Sequence, residues 1–572
     1  MKKKWYLGID IGVSSCGVAC CDEDFNIIKW NGKECWVSRL FDKANTCKDR
    51  RMHRGTRRHV ERRKKRIRLI RELFAEEVLK KDPLFYKRLD QAQLQKGDKE
   101  KALGKFTLFN DVDGSFTDFD YHKKFPTIYH LRKALLDKNH DDHEFAISDI
   151  RLVFLACEHI VKYRGNFLYD DWNIEDIRNF DVKDELTLIN QWLKTAGGKE
   201  IDEDALKKLR DISLEEHISK KAKIEQICKE LKYGKNSLNW HLIDALVFRA
   251  VKLKNFSENQ LNESIDIKLN NKISFHDETW EPTIATIANE NGELAGFLQA
   301  LSKFAQKLLW SSKMKNEEYI SNFFIKIYDQ HRKNLDALKS FLYINNKEML
   351  NEFFSKNGSH YARVIGHDKN RDVVCDKTKD KNREREDYVR DHELFVKHIR
   401  ENIHDKYKEK FENDSNFKTA FGNIDNDEFY LSTQHYANKI SNFPFQLHLV
   451  ELKEILNNVS EHWSFLSKRD EELSILTKDK IIKILEFKMP YYVGLTSNAG
   501  WESLSKNELD RRKPWIEFND KKTQTHILPW NIKQVVNLEK TATNFIQKMI
   551  NKCTYLYDEP VLPKESIIYQ QY

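Results

Sequence analysis

The sequence predicts a mainly α, multi-domain chain with a small N-terminal β segment and one long Arg-rich helix. Three observations predict it. Among 572 residues there are only 19 Gly and 9 Pro, about half and about a third of the usual frequencies of roughly 7% and 5%, so few turns interrupt the chain. Strong turn signals between apolar runs crowd into residues 5–41. From Thr46 onward the apolar spacing becomes three-to-four and stays so almost to the end. At about 150 residues per domain, this length implies several domains.

Residues 5–41, "WYLGIDIGVSSCGVACCDEDFNIIKWNGKECWVSRLF", read as three short strands. "DEDFN" separates two of them, and Asn31-Gly32 is a two-residue hairpin signal, because both residues tolerate positive φ. Three strands followed by no further sheet cannot bury both faces and need apolar cover from elsewhere.

In "PTIYHLRKALLD", Pro126 and Thr127 form a helix start, with Ile128, Leu131 and Leu135 on one face. In "SDIRLVFLACEHIVKYRGNFL", Ser148 is the expected cap and Ile150, Val153, Phe154, Cys157, Ile160 and Val161 the expected core stripe. Between about 175 and 320 helical segments alternate with polar stretches such as "TAGGKEIDED" and "IANENGELAG", which read as loops. Residues 366–385 read as a charged, solvated connection. The segments "FPFQLHLVELKEIL", "ILEFKMPYYVGL" and "LPWNIKQVVN" mix extended pieces with helix.

Charge is concentrated in one place. The chain carries 98 Lys plus Arg against 90 Asp plus Glu, a net of +8. Between Lys48 and Arg71, 13 basic residues face only Asp49 and Glu61, a local +11 that leaves the remainder slightly acidic. A basic stripe on a near-neutral body is the footprint of a polyanion binder. Arg50, Arg54, Arg58, Arg62 and Arg66 recur every four residues. Each step turns the row by about 40°, so it winds gently along roughly 24 Å of helix, as a phosphate backbone winds. Arg57, Arg63 and Lys64 widen the charged face, and His53 and His59 add donors when protonated.

A solvated charge run, a localisation signal and a membrane-surface helix are the competing readings of this segment. A solvated helix interleaves acids four residues away, and here only Glu61 does so. A membrane-surface helix needs large apolar residues along its length, and none lies between Arg50 and Glu61. Nucleic acid is the better partner. Beyond Arg66, Ile67, Leu69, Ile70, Leu73 and Phe74 form an apolar face that anchors the helix end in a core.

Asp10 ends the first strand in "LGIDIGVSSCGVA". RNase H-like nucleases use such an Asp as the first ligand of a two-metal site that clamps a phosphodiester. Actin-like ATPases use a similar turn to bring backbone amides and a metal to ATP phosphate. A third reading makes Asp10 a mere hairpin cap. Context favours the nuclease, since an actin-like ATPase continues into more sheet and a second glycine-rich loop, whereas this chain enters the basic helix.

Nine Cys, at 16, 20, 21, 35, 47, 157, 228, 375 and 553, show no CxxC pair and no zinc spacing. Buried, reduced thiols are expected, and an odd count points to a reducing cytoplasm. In "MKKKWYLGID" Asp10 interrupts the apolar run that a signal peptide requires, and no stretch approaches the roughly 20 apolar residues of a membrane span. The expectation is a soluble, cytoplasmic protein with no membrane partner.

The consecutive segments "GIDIGVSSCGVA", "WVSRLFDKANT" and "RRMHRGTRRHVERRKKRIRLIRELF" resemble the N-terminus of the CRISPR-associated type II effector nucleases, the Cas nine family: a first RuvC segment, then an arginine-rich bridge helix. The resemblance continues through "DYHKKFPTIYHLRKALLD", "DIRLVFLACEHIVKYRGNFL", "YDQHRKNLDALKSFL", "FPFQLHLVELKEIL", "FKMPYYVGL", "PWNIKQVV" and "VLPKESIIY", which in the family belong to the helical recognition lobe. It implies an RNase H-like segment over 1–47, the bridge helix over 48–74, and recognition-lobe parts over 75–175, 176–320 and 321–572.

By the same resemblance, Asp10 is a magnesium ligand for cutting the displaced DNA strand. Arg54, Arg58, Arg62, Arg63 and Arg66 hold guide-RNA phosphates, and Arg164 in "KYRGNF" meets the repeat:anti-repeat duplex. The implied partners are guide RNA (crRNA with tracrRNA), target DNA and a C-terminal half of the same nuclease. That mechanism comes with the resemblance and not from composition or spacing. The family's second and third RuvC segments, HNH domain and PAM-reading domain are not found in these residues, so the chain alone is expected to be catalytically incomplete. The alternatives are a naturally shortened guide-RNA binder that does not cut and, more remotely, the actin-like ATPase.

Overall fold

The structure is a computed structural model. It describes residues 4–11, 15–41, 47–91, 108, 109, 111, 114–165, 167, 172, 174, 180–215, 218–257, 272–275, 280–314, 317–354, 396, 399–404, 407, 443–470, 474–490, 492, 493, 513–519 and 527–551. The charged stretch expected over 366–385 lies outside these residues. The described chain is mainly helical and forms two compact units, residues 1–68 and 69–572. The division falls inside a single helix.

In the first unit, β1 (Tyr6–Ile11), β2 (Ser15–Cys21) and β5 (Trp36–Leu40) form an antiparallel sheet in the order β1-β2-β5. Between β2 and β5 lies a ribbon of β3 (Lys29–Trp30) and β4 (Lys33–Glu34). Its turn is Asn31-Gly32, at φ 48° and 75°, as the two-residue signal demands. Strand alternation puts Leu7, Ile9, Ile11, Val18 and Val37 on one face. Leu7, Ile9, Ile11 and Val37 are each half or more exposed. Helix α1 follows (Cys47–Lys81).

The second unit is built from helices. One core runs from Leu69, Ile70, Phe74 and Val78 of α1 through α4 (Ile128–Leu136), α5 (His143–Ser148) and α6 (Ile150–Lys162), and is completed by residues 452–485. A second core lies wholly within residues 180–308. All six residues of the expected α6 stripe are buried. The helix is in fact buried on almost every side, because Arg151, Leu152, Leu155, Ala156 and Glu158 are buried too.

Two local expectations are corrected. Ser148 is not the cap of α6 but the last residue of α5, and Asp149 caps, accepting from Arg151 N at 2.9 Å. Asp can cap as well as Ser, and here it also anchors a buried arginine. "IANENGELAG" is not a loop. It joins two helices, Trp280–Glu290 and Gly292–Lys313, and Asn291 alone stands between them, its side chain capping the second through Leu294 N. Its run of small and polar residues around a one-residue joint imitated a loop.

The chain comes back on itself tightly at Gly165. Its φ is 77°, and a Cβ there would lie 2.4 Å from the Phe443 carbonyl oxygen, so only glycine allows this approach.

Candidate nucleic-acid interface

α1 presents the predicted arginine row, and the winding of the row decides how each member is exposed. Measured from Arg54, positions 58, 62 and 66 turn by about 40°, 80° and 120°, into the sector that Leu69, Leu73 and Ile70 occupy at about 60–160°. Accordingly Arg54 and Arg58 are exposed, while Arg62, Arg63 and Arg66 are half-buried. Arg57 is exposed and lies 3.9 Å from Glu61, one turn on. A surface contact of that length contributes little. The side chain of Arg50 lies outside the described residues.

The half-buried members carry the electrostatic signature of the site. Burial, with Arg63 and Arg62 close by, pushes the Arg66 guanidinium down to about 10. It remains charged at neutral pH, against its like-charged neighbours. Nε of Arg62 is buried with no hydrogen-bond partner among the described residues. A phosphate placed there would relieve the repulsion and accept from the orphan donor. Arg71, by contrast, is turned to the protein: it pairs with Asp90 at 2.7 Å and Glu158 at 3.3 Å.

Arg164 lies apart from this row in the sequence. Its Nη1 donates to the carbonyls of Leu485 (2.9 Å) and Phe487 (2.6 Å), at the end of the helix Thr477–Glu486. The guanidinium sits 4.4 Å from the centre of the Phe167 ring, which also receives Lys488 and stacks on Phe445. A cation at a helix C-terminus satisfies carbonyls left without partners. Sequence reading missed this capping role, because the capped carbonyls lie more than 300 residues away.

Asp10 is exposed on β1, opposite Gly17. The turn residues 12–14 that follow it lie outside the described residues. No group of three or more His, Cys, Asp or Glu among the described residues is placed to hold a metal ion. A two-metal nuclease site needs several carboxylates around both ions, and the described residues do not make one up.

The lobe's framework centres on Arg132, whose Nε donates to Glu451 Oε1 at 2.8 Å, both side chains fully buried. His159 lies 3.2 Å from Arg132 Nη1. His448 is buried nearby, and its Nδ1 has no partner among the described residues. Burial, then Arg132, pushes His448 down to about 3, and the same two causes hold His159 well below its ordinary value. Both rings are therefore neutral when folded. Their stabilising contribution is fully present above the unfolded value of about 6.5 and is lost as pH falls from there toward the folded values. The unfolding free energy should drop between pH 6.5 and 5, by up to about 1.4 kcal/mol per pH unit for each ring. His448→Gln should flatten that slope, and an unchanged slope would mean that His448 titrates normally.

No described helix is long and apolar enough to cross a membrane. A family model described as the REC lobe of the CRISPR-associated endonuclease Cas9 matches residues 198–572, and one described as its bridge helix matches residues 50–82. The CRISPR-associated endonuclease Cas9 of Listeria innocua serovar 6a is 30% identical over 598 aligned residues, covering 100% of this chain and 39% of that protein. That of Streptococcus mutans serotype c is 28% identical over 596, covering 100% and 38%. The chain thus spans about two-fifths of the length of these relatives. With the arginine row inside the bridge-helix match and most of the helical unit inside the REC match, the chain belongs to the family of the CRISPR-associated endonuclease Cas9.

Proposed function

We propose that this chain is the guide-RNA-holding part of an RNA-guided DNA endonuclease of CRISPR antiviral defence, with guide RNA and target DNA as its partners. The observation that carries the reading is the Arg62–Arg63–Arg66 cluster: three half-buried cations, Arg66 depressed by burial and then by Arg63 and Arg62, and a buried Arg62 Nε with no hydrogen-bond partner among the described residues. Arg54, Arg57 and Arg58 extend the same surface outward, and Arg50 prolongs the row in the sequence. Phosphate oxygens of a strand lying along α1 supply negative charge against the crowded cations and an acceptor for Arg62 Nε. The helical unit then grips the duplex through shape and backbone, as A-form helices require.

Arg164 enters the proposal as an RNA contact only through nitrogens other than the Nη1 that caps the helix. Hydrolysis enters only through Asp10, as one magnesium ligand joined by carboxylates that the described residues do not bring to it. A C-terminal half of the same nuclease is the partner proposed to bring them. Titrating the chain with guide RNA over a range of salt tests the binding claim. Arg62→Ala should weaken binding and lower the slope of log K against log salt by about 0.7 to 0.9, the loss of one phosphate contact. An unchanged slope would remove Arg62 from the interface.

A further inference from the structure

We propose that Cys20 and Cys35 form a reversible cross-strand disulfide under oxidation, making the N-terminal sheet a thiol-modification site. The β2–β5 ladder ends at the pair Ala19–Trp36, and Cys20 and Cys35 are the next residues beyond it on the two chains. The Cys20 amide donates to the Cys35 carbonyl at 2.9 Å, which brings the two residues side by side at the end of the ladder. Ile28 ties both from the ribbon side, donating to Cys20 O at 3.0 Å and accepting from Cys35 N at 2.8 Å.

At a hydrogen-bonded position of an antiparallel ladder, opposed residues have Cα atoms about 5.5 Å apart and side chains on the same face. A disulfide takes Cα separations of about 4.4–6.8 Å. Both thiols are free and half-buried, within reach of a small oxidant. The neighbouring thiols do not compete. Cys21 points to the other face, opposite Tyr6, and Cys16 lies four residues along the strand, about 13 Å away.

The oxidant is a low-molecular-weight disulfide. The thiolate of one cysteine attacks it, forming a mixed disulfide and releasing one thiol. The second thiolate then attacks the protein-bound sulfur and expels the other thiol. Two electrons pass to the small disulfide, and the two protons lost by Cys20 and Cys35 end on the two released thiols.

The test treats the full 572-residue chain with oxidised glutathione, blocks the remaining thiols and maps the peptides. Expected are one linked peptide pair joining the Cys20 and Cys35 segments, its reversal by dithiothreitol, and its persistence in Cys21→Ser. In Cys35→Ser a glutathione adduct on Cys20 should replace the link. Recovery of both Cys20 and Cys35 as blocked free thiols, or as two separate glutathione adducts, in the unsubstituted chain would overturn the proposal. So would a link that disappears in Cys21→Ser.

Discussion

Glu451→Ala is expected to destabilise the helical unit by about 3–5 kcal/mol, the range for breaking one side of a fully buried ion pair. Arg132 would keep its charge with no counterion, at 0% exposure. More than a pair is lost, because Glu451 also accepts from Ser321 N at 3.3 Å and from the Ser321 hydroxyl. Ser321 lies in the first turn of the helix Ile320–Asn345, whose own cap position, Tyr319, makes no side-chain capping bond. One carboxylate from the helix Phe445–His462 therefore neutralises Arg132 of α4 and caps a third helix. Hydrogen exchange should accelerate in α4 and at the start of 320–345 while the separate core of 180–308 keeps its protection. Replacing the pair together, Arg132→Met with Glu451→Leu, should recover the part of the loss that comes from the unpaired charge, but not the part that comes from the lost Ser321 bonds. A single variant as stable as the original chain would show that the pair does not hold these helices.

The same helix, 445–462, explains what could be read from the sequence and what could not. The α6 stripe was legible because its apolar spacing is local. So was the Asn31-Gly32 turn, which depends on two adjacent residues. The helix ends were not legible where their partners are remote. Asn458 donates to the carbonyls of Leu135 and Leu136 at the end of α4, and the Trp463 indole N–H donates to Ile147 O near the end of α5. Arg164 does the same service for 477–486. Each of these bonds crosses more than 300 residues, and no window of a single sequence contains both partners. Arg151 was hidden for a related reason: a charged residue in an apolar stripe reads as its exposed edge, but Asp149 and Asp111 meet it inside, at 2.6 Å each.

At the candidate interface the arginine row was legible to the residue, since a four-residue repeat needs only helix geometry. Its gradient of burial was not stated from sequence, although it follows from the same 40° precession once Leu69 and Ile70 are known to be buried. Asp10 was legible as a motif, but a metal site is a meeting of carboxylates from separate strands, and a motif supplies one.

The central claim, that the α1 row faces a phosphate backbone, predicts the second large effect. Replacing Arg54, Arg58, Arg62 and Arg66 together with Ala should lower the salt slope of guide-RNA binding by about three, at about 0.7 to 0.9 per lost contact. A control of equal charge removes Lys80, Lys138, Lys208 and Lys272, each paired with an acid in the protein. The control should keep the slope of the original chain while the arginine variant loses those three units. Equal slopes for the two variants would contradict the claim, because the row would then act only through net charge.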